Sequence, residues 1–263
     1  MVSILQRWMP LSGALRLDFL RYLSLALLAV FTPALAQVPD SGRWQELRFA
    51  AEEVGQRAED RYIEQTVSLA AAGRLDRDKV LLLRVRRVAQ GLVHAASALK
   101  PAAAEWPWEV HVTDDPAVEA ESQPGGKLLV GSLFIESLRL DDGELAILLA
   151  HEIAHVVAEH GRETLSEALL DSRRDLPLEV VEERLASDIP LQFRLSKLSA
   201  IQEREADQLG MLIAYRAGWP RSAMLSFYSK LAADSSGPAL LVSHPSGATR
   251  LSLAKGMSRL LGD

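Results

Sequence analysis

The fold is decided by residues 144–161, which read ELAILLAHEIAHVVAEHG. The apolar run from Leu145 to Val157 follows two acidic residues at 141–142, and acidic residues are typical of the first turn of a helix. Positions four apart in a helix lie on the same face, one turn apart, so His151 and His155 project side by side. The stretch therefore predicts a central helix that presents two imidazoles on one face.

The pentapeptide HEIAH, residues 151–155, has the H-E-x-x-H pattern of a helical metal site. Two imidazole nitrogens one turn apart can bind a single zinc ion at ~2.0–2.1 Å. Glu152 lies about 100° further round the helix, where it can accept a proton from zinc-bound water. The alternative is a helix whose histidines only pack or face solvent. With six histidines in the chain, the pattern arises by chance in roughly one such chain in a hundred, which favours the metal site.

A catalytic zinc site needs a third protein ligand and keeps its fourth position for water. Residues 156–162 do not place a histidine at the spacing of the longer pattern H-E-x-x-H-x-x-G-x-x-H. We therefore expect the third ligand to be a carboxylate that a different helix supplies.

The segment IQEREADQLG, residues 201–210, offers three such carboxylates. Glu203 and Asp207 are four apart and share a helical face, whereas Glu205 points about 200° away from Glu203. One carboxylate can bind zinc while another accepts a ring N–H from a ligating histidine and fixes its tautomer. We assign Glu203 to the metal and Asp207 to His151. The alternative for this segment is a solvated acidic helix face.

Composition excludes several other kinds of protein and site. The chain has 263 residues, which suffices for one sizeable core but not for two large domains. Its formal net charge of −6 disfavours sequence-independent binding to phosphate backbones, so we expect no nucleic-acid partner. The chain contains no cysteine, which excludes disulfides, thiolate metal ligands and a lipidated cysteine.

The N-terminus has the pattern of a secretory signal. A basic region is followed by YLSLALLAVFTPALA, residues 22–36, an apolar run that ends in an A-x-A site. We expect cleavage after Ala36, so that residues 1–36 form the signal peptide and 37–263 the mature domain, which is exported most simply to a bacterial periplasm. The alternative is an uncleaved anchor. It is disfavoured because the run is shorter than the ~20 apolar residues of a membrane span and Pro33 interrupts it.

The remaining periodicities predict an α+β domain that is mainly helical, with a small β-sheet before the central helix. Alternating apolar and polar residues at 108–112 and 118–122, and a short apolar run at 127–130, indicate three strands. The charged face of the second strand is typical of a sheet edge. Helical patterns are expected at 43–72, 77–99, 163–187, 197–217, 220–233 and 247–261.

The motifs HEIAH and EREAD (203–207) resemble those of the HtpX-like and CaaX-prenyl-protease-type zinc metallopeptidases, which use two histidines and one glutamate as ligands. The resemblance implies a zincin-type fold, one zinc ion per chain and hydrolysis of peptide bonds. In exported bacterial members it also implies quality control of envelope proteins. It covers residues 43–262 through segments in the family's order: PWEVHVTDDP (107–116), QPGGKLLVGS (123–132), ELAILLAHEIAHVVAEHG (144–161), EADQLGMLIAYRAGWP (205–220), and SHP (243–245) followed by Arg250.

The resemblance adds two candidate catalytic residues. His244 matches a histidine that can approach zinc as a fourth ligand and close the site, or donate a hydrogen bond to the oxyanion of the transition state. A plain turn histidine is the third interpretation. Arg250 either orients a substrate carbonyl or pairs with an acid. The single histidines His94, His111 and His160 lack ligand spacing and are interpreted as structural.

The family's edge strand resembles a β-addition surface, whose backbone pairs with an extended substrate. In this chain Glu119 and Glu121 stand where relatives carry an Asn-Ala-Phe-like strand. Backbone pairing survives this change, but the two carboxylates lead us to predict that acidic peptides are disfavoured.

The sequence thus predicts a zinc metalloendopeptidase that cleaves unfolded or misassembled envelope proteins. Its expected partners are polypeptide substrates, and an association with the outer-membrane assembly machinery is left open. One alternative is a periplasmic chaperone or assembly factor for outer-membrane proteins, in which His244 closes the zinc site. Another is a zinc hydrolase that acts on a different amide, for instance in the cell wall.

Overall fold

The structure is a computed structural model that describes residues 34–233 and 247–262. Most of the expected signal peptide and the candidate residue His244 lie outside the described residues. In chain order the elements are β1 (Ala34–Gln37), β2 (Trp44–Leu47), α1 (Ala51–Ala71), α2 (Lys79–Ser97), a 3-10 turn (Pro101–Glu105), β3 (Glu109–Thr113), β4 (Ala120–Gln123), β5 (Lys127–Gly131), α3 (Ser132–Ser137), α4 (Asp142–Val157), α5 (His160–Ser172), α6 (Leu178–Ser187), α7 (Ile189–Arg216), α8 (Arg221–Ala233) and α9 (Gly247–Leu260).

The predicted fold class is confirmed, since helices dominate the described chain and a small sheet precedes the central helix. Strands β3, β4 and β5 form this sheet in the order β3-β5-β4, with β5 parallel to β3 and antiparallel to β4. Strand β4, with the charged residue Glu121, therefore lies at a sheet edge, as its pattern predicts. All five residues of β5 are buried, which explains the apolar run of Leu128, Leu129 and Val130.

Helix α4 is the centre of the molecule. Its first turn is fixed by a capping box, in which Asp141 Oδ1 accepts from the backbone N–H of Glu144 at 2.8 Å and the Glu144 carboxylate accepts from the backbone N–H of Asp141 at 2.8 Å. Every residue from Glu144 to Val157 is buried except His155, which is half-buried. A helix that is apolar nearly all round must be enclosed by other elements, and here α2, α7 and α8 pack around it.

Helix α7 approaches α4 closely at a glycine. A Cβ atom placed on Gly210 would lie 2.9 Å from the backbone nitrogen of His151 and 3.0 Å from the carbonyl of Ala150. Such distances are too short for a methyl group, so the absence of a side chain at Gly210 permits the crossing. The crossing point sets the position of α7 relative to the histidines of α4.

Three sequence-based boundaries are wrong. The helix expected at 43–72 begins only at Ala51, because Trp44–Leu47 forms strand β2, which pairs antiparallel with β1 across a turn. The helix expected at 163–187 is two helices, because Arg173 adopts a left-handed conformation with φ 54° and ends α5. Helix α7 also begins earlier than its pattern indicates, at Ile189, where the side chain of Asp188 accepts from a backbone N–H of the first turn.

The expected signal cleavage after Ala36 falls within strand β1 and stays a prediction. Among the helices of residues 34–233 and 247–262, none is both long and apolar enough to span a membrane.

Candidate metal centre

The structure brings together the three residues that the sequence proposes as metal ligands. The Nε2 atoms of His151 and His155, one turn apart on α4, are 3.2 Å from each other. The carboxylate of Glu203, on α7, lies 3.5 Å from Nε2 of His151 and 3.4 Å from Nε2 of His155. These atoms form a group that could hold one metal ion. Two imidazole nitrogens and one carboxylate oxygen are a typical donor set of a catalytic zinc site, with room for a fourth ligand.

The first histidine is held from behind by a carboxylate. Nδ1 of His151 lies 3.0 Å from Oδ1 of Asp207, on the face of α7 that also carries Glu203. This contact leaves Nε2 of His151 directed at the metal position and fixes the tautomer that a ligand needs. Burial lowers the pKa of His151, as does the charge of Arg250, but the hydrogen bonds with Asp207 and Glu203 outweigh both and raise it to about 9.

Asp207 is itself enclosed by donors. Its Oδ1 accepts from the hydroxyl of Tyr228 at 2.8 Å and from Nη2 of Arg250 at 2.6 Å, and its Oδ2 accepts from Nε of Arg250 at 2.9 Å. Burial raises the pKa of Asp207, but His151 and Arg250 outweigh it and bring the pKa to about 2. The carboxylate is therefore ionised, and it can accept hydrogen bonds from its neighbours at the same time.

Arg250 occupies a buried position on α9, with only 6% of its surface exposed. Its guanidinium pairs with Asp207 and lies 3.2 Å from Nδ1 of His151. Of the two roles considered from the sequence, the structure shows the pairing with an acid. Arg250 does not contribute to the lining of the cleft in front of the metal position.

The second histidine is held through another histidine. Nδ1 of His155 lies 3.0 Å from Nδ1 of His160, and Nε2 of His160 lies 3.3 Å from Oε2 of Glu205. Glu159 adopts a left-handed conformation, φ 55°, at the break between α4 and α5, and this break turns His160 back towards His155. Burial lowers the pKa of His160, although the hydrogen bond with Glu205 opposes it.

Sequence reasoning missed this pair. It treated His160 as structural, and it set Glu205 aside because helical spacing turns this residue about 200° away from Glu203. The contact forms because α5 packs against α7, and local spacing carries no signal for that packing. Another single histidine, His111 of β3, bonds Asp76 and Glu109 rather than a metal ligand.

A cleft of about 580 Å³ opens in front of the metal position. Glu152, His155 and Glu203 lie in its wall, together with strand β4 and parts of α1 and α5. Glu152 is 8% exposed, and it follows His151 directly on α4. Its carboxylate therefore borders the space in which a ligand of the metal would sit.

The cleft is rich in carboxylates, and Glu121 of β4 is one of them. Burial raises the pKa of Glu121, the charge of Glu152 raises it further, and a hydrogen bond from Gln65 lowers it. Glu121 and the candidate general base Glu152 both lie in the cleft wall. Glu119, the second acidic residue noted in the sequence, is absent from the cleft wall.

Comparison with known proteins agrees with this geometry. The family model described as Peptidase family M48 matches residues 83–258, which include the three candidate ligands. The mitochondrial metalloendopeptidase OMA1 of Saccharomyces cerevisiae is 35% identical over 129 residues, which are 48% of this chain and 37% of the yeast protein. The OMA1 of Arabidopsis thaliana is 33% identical over 150 residues, 56% of this chain and 30% of that protein.

A bacterial relative aligns over more of the chain. The beta-barrel assembly-enhancing protease of Yersinia pestis is 27% identical over 217 residues, 74% of this chain and 42% of that protein. The chain thus spans less than half the length of each of these relatives. The family model covers well over half of the chain itself, and its description agrees with the resemblance seen in HEIAH and EREAD. The chain therefore belongs to peptidase family M48.

Proposed function

We propose that this chain is a zinc-dependent metalloendopeptidase that cleaves unfolded or misassembled envelope proteins in the periplasm. The observation that carries the proposal is the convergence of His151, His155 and Glu203 beside Glu152 at the wall of an open cleft. The donor set fits zinc, because each nitrogen has a carboxylate or a histidine behind it that fixes its tautomer. When bound, zinc supplies a water of lowered pKa and polarises the carbonyl to be cleaved.

Glu152 supplies the acid–base chemistry in this proposal. Its carboxylate borders the cleft next to His151, so it can accept the proton of the attacking water. The same group then delivers a proton to the nitrogen of the leaving amine. His151, His155 and Glu203 contribute as ligands. His244 keeps its two sequence-based roles, fourth ligand or oxyanion donor, as predictions.

The cleft favours an extended polypeptide as the substrate. Among the strands of residues 34–233 and 247–262, β4 pairs only with β5, and it runs along the cleft, so its other edge can add the backbone of an extended peptide. Backbone pairing is insensitive to the substrate's sequence, which suits unfolded chains of many kinds. Folded proteins do not offer such a strand, because their backbone groups are already paired.

Two observations support the periplasm and envelope substrates. Residues 1–36 have the pattern of an export signal. The bacterial relative that aligns over 74% of this chain is named for enhancing β-barrel assembly. An association with outer-membrane assembly machinery, and one zinc ion per chain, belong to the same proposal.

Metal analysis and proteolysis of the purified mature protein test the proposal. We expect one zinc ion per chain, cleavage of casein, and loss of cleavage when a chelator removes the metal.

Glu152→Gln should keep the zinc and lose cleavage, because the ligands stay and the proton acceptor is removed. His155→Ala should lose both, whereas Glu64→Gln, an exposed glutamate of α1, should keep both. Cleavage of casein by Glu152→Gln at the wild-type rate would show that the mechanism is wrong. Zinc bound without cleavage would favour the assembly factor.

A further inference from the structure

The two histidine ligands are supported in different ways. His151 contacts the carboxylate of Asp207 directly, whereas His155 reaches Glu205 only through His160. A ligating imidazole needs its second nitrogen to be held, because that hydrogen bond sets both the tautomer and the ring orientation. The support of His155 therefore depends on a residue whose own orientation has to be fixed.

His155, His160 and Glu205 form a series of hydrogen bonds, and these contacts determine which ring nitrogen of each histidine carries the proton. If Nε2 of His155 faces the metal with its lone pair, Nδ1 of His155 carries the proton and donates it to His160. Nδ1 of His160 is then an acceptor, so Nε2 of His160 carries a proton and donates to Glu205. Only this arrangement satisfies both contacts with neutral rings. It requires an ionised Glu205 at the end of the series.

Strands β1 and β2 with the turn between them, residues 34–47, form an N-terminal hairpin that holds Glu205 in place. Arg43, next to strand β2, donates from Nε to Oε1 of Glu205 at 2.8 Å and from Nη2 to Oε2 at 2.9 Å. The hydroxyl of Ser41, in the turn between β1 and β2, donates to Oε1 of Glu205 at 2.9 Å. A two-point contact of this kind fixes the plane of the carboxylate. Oε2, which Arg43 orients, is the same atom that faces His160.

The hairpin is anchored at the break between α4 and α5. Arg43 also pairs with Glu163 on α5, with Nη2 2.8 Å from Oε2. Gln45 of β2 donates to the carbonyl of Ala158 at 2.9 Å and to Glu163 at 3.1 Å. Residues 34–47 lie outside the part of the chain that the M48 family model matches. A segment outside the matched region thus contacts the inner residues of the metal centre.

We propose that His160 and Glu205 are positioning residues for the ligand His155, and that Arg43 of the N-terminal hairpin keeps them aligned. The hairpin then supports the metal centre through Glu205 and His160, and His160 itself lies in the cleft wall. This inference rests on the metal site of the proposed function. It adds that zinc affinity depends on residues that never touch the metal.

Zinc affinity of the mature chain that begins at Gln37, which retains Ser41, Arg43 and Gln45, tests the proposal when it is measured in competition with a chelating dye. We expect His160→Leu to weaken zinc binding by about 10–100-fold, the usual loss when an outer partner of a ligand is removed. His160→Asn retains a side-chain oxygen that can accept from His155, so we expect it to bind zinc more tightly than His160→Leu. His111→Leu is the matched control, because it removes a histidine that bonds two carboxylates away from the site and should leave affinity unchanged.

A double-mutant cycle tests the part played by the hairpin. Arg43→Gln should weaken zinc binding in the wild type but have little further effect in the His160→Leu background, because both changes break the same series. Ser41→Ala removes one neutral hydrogen bond and should give a smaller loss in the same direction. Ser41→Ala and His160→Asn keep the test decisive if a harsher variant fails to fold. The absorption spectrum of the cobalt-substituted protein should shift in His160→Leu and stay unchanged in His111→Leu.

The outcomes separate this inference from the proposed function. A wild-type protein that binds no zinc would overturn the proposed function. Zinc binding by the wild type with equal affinity in His160→Leu, or in every hairpin variant, would overturn this inference alone. Equal losses in His160→Leu and His160→Asn would show that the ring's volume matters rather than its hydrogen bond. Fully additive losses of zinc affinity for Arg43→Gln and His160→Leu would show that the hairpin does not act through His160.

Discussion

The charges of Arg250 and Asp207 are almost fully enclosed, with 6% and 1% of these residues exposed. Arg250→Met would leave the carboxylate of Asp207 buried without its cation, and removing one partner of a buried pair costs about 3–5 kcal/mol. We expect a loss of that size in the free energy of unfolding, measured by urea denaturation of the metal-free protein. Arg87→Met is the control. Arg87 pairs with Asp142 at the surface, so we expect a loss of about 1 kcal/mol or less. Similar losses in the two variants would contradict the assignment.

We predict that the carboxylate of Glu121, which lies in the cleft wall, disfavours peptides with acidic residues. Two like charges about 4 Å apart repel by ~1 kcal/mol in water, which corresponds to roughly a fivefold change in rate. We expect Glu121→Gln to raise kcat/KM for peptides with acidic residues near the scissile bond by about that factor, relative to a neutral peptide. Glu119→Gln removes the same charge outside the cleft wall and should leave the ratio unchanged. A library profile in which acidic residues flank the wild-type cut sites would refute the prediction.

At this scale the sequence predicts contacts within one helix but not contacts between helices. The spacing of His151 and His155, and of Glu203 and Asp207, follows from helical periodicity alone. Combining the two pairs required the chemistry of a zinc site, which demands a third ligand and a support for each imidazole. His160 and Glu205 follow no such rule, because a histidine placed behind another histidine appears only once α5 and α7 are packed.

Among the elements, the crossing of α4 and α7 decides whether the ligands meet. Gly210→Ala would place a methyl group 2.9 Å from the backbone of His151 and force the helices apart. We expect a loss of about 1–3 kcal/mol in the free energy of unfolding, as for other overpacked sites. Weaker zinc binding should follow, because Glu203 moves with α7. Gly91→Ala, on α2, is the control: its Cβ would meet no atom within 4 Å, so it should stabilise the protein by about 0.5–1 kcal/mol. Zinc affinity equal to that of the wild type in Gly210→Ala would argue against a crossing set by the glycine.

The sequence predicted some helices and strands correctly and assigned strand β2 to the wrong type of element. Caps such as Asp141 and strands with clear alternation were found, because both signals are local. Strand β2 was assigned to a helix, because Trp44 and Leu47 are spaced three apart and continue into the apolar stripe of α1. The tertiary contacts that decide the matter lie elsewhere in the chain, where Gln45 and Arg43 meet the start of α5. Apolar spacing over a few residues therefore does not distinguish a helix from a short strand that tertiary contacts stabilise.

For the molecule as a whole, the attachment of the N-terminal hairpin to the helices depends on the ionisation of Glu163. Burial raises the pKa of Glu163, but hydrogen bonds from Arg43, Gln202 and Gln45 outweigh it and hold the pKa below its usual value. A carboxyl group whose pKa is lower in the folded state contributes stability that is fully present above its unfolded pKa. That contribution is lost as the pH falls through the folded pKa. Acid should therefore weaken the attachment of the hairpin.

Glu163→Gln tests this dependence in the metal-free protein. We expect the variant to be less stable than the wild type at pH 7, since Arg43 loses a charged partner. The difference in the free energy of unfolding should shrink as the pH falls below about 4.5, because the wild-type carboxyl group then takes up its proton and loses the same interaction. Urea denaturation at several pH values from 7 to about 3 measures the difference. Glu183→Gln, at an exposed position of α6, should follow the wild-type curve throughout. A difference between Glu163→Gln and the wild type that stays constant down to the lowest pH would mean that volume or packing, and not charge, attaches the hairpin to the helices.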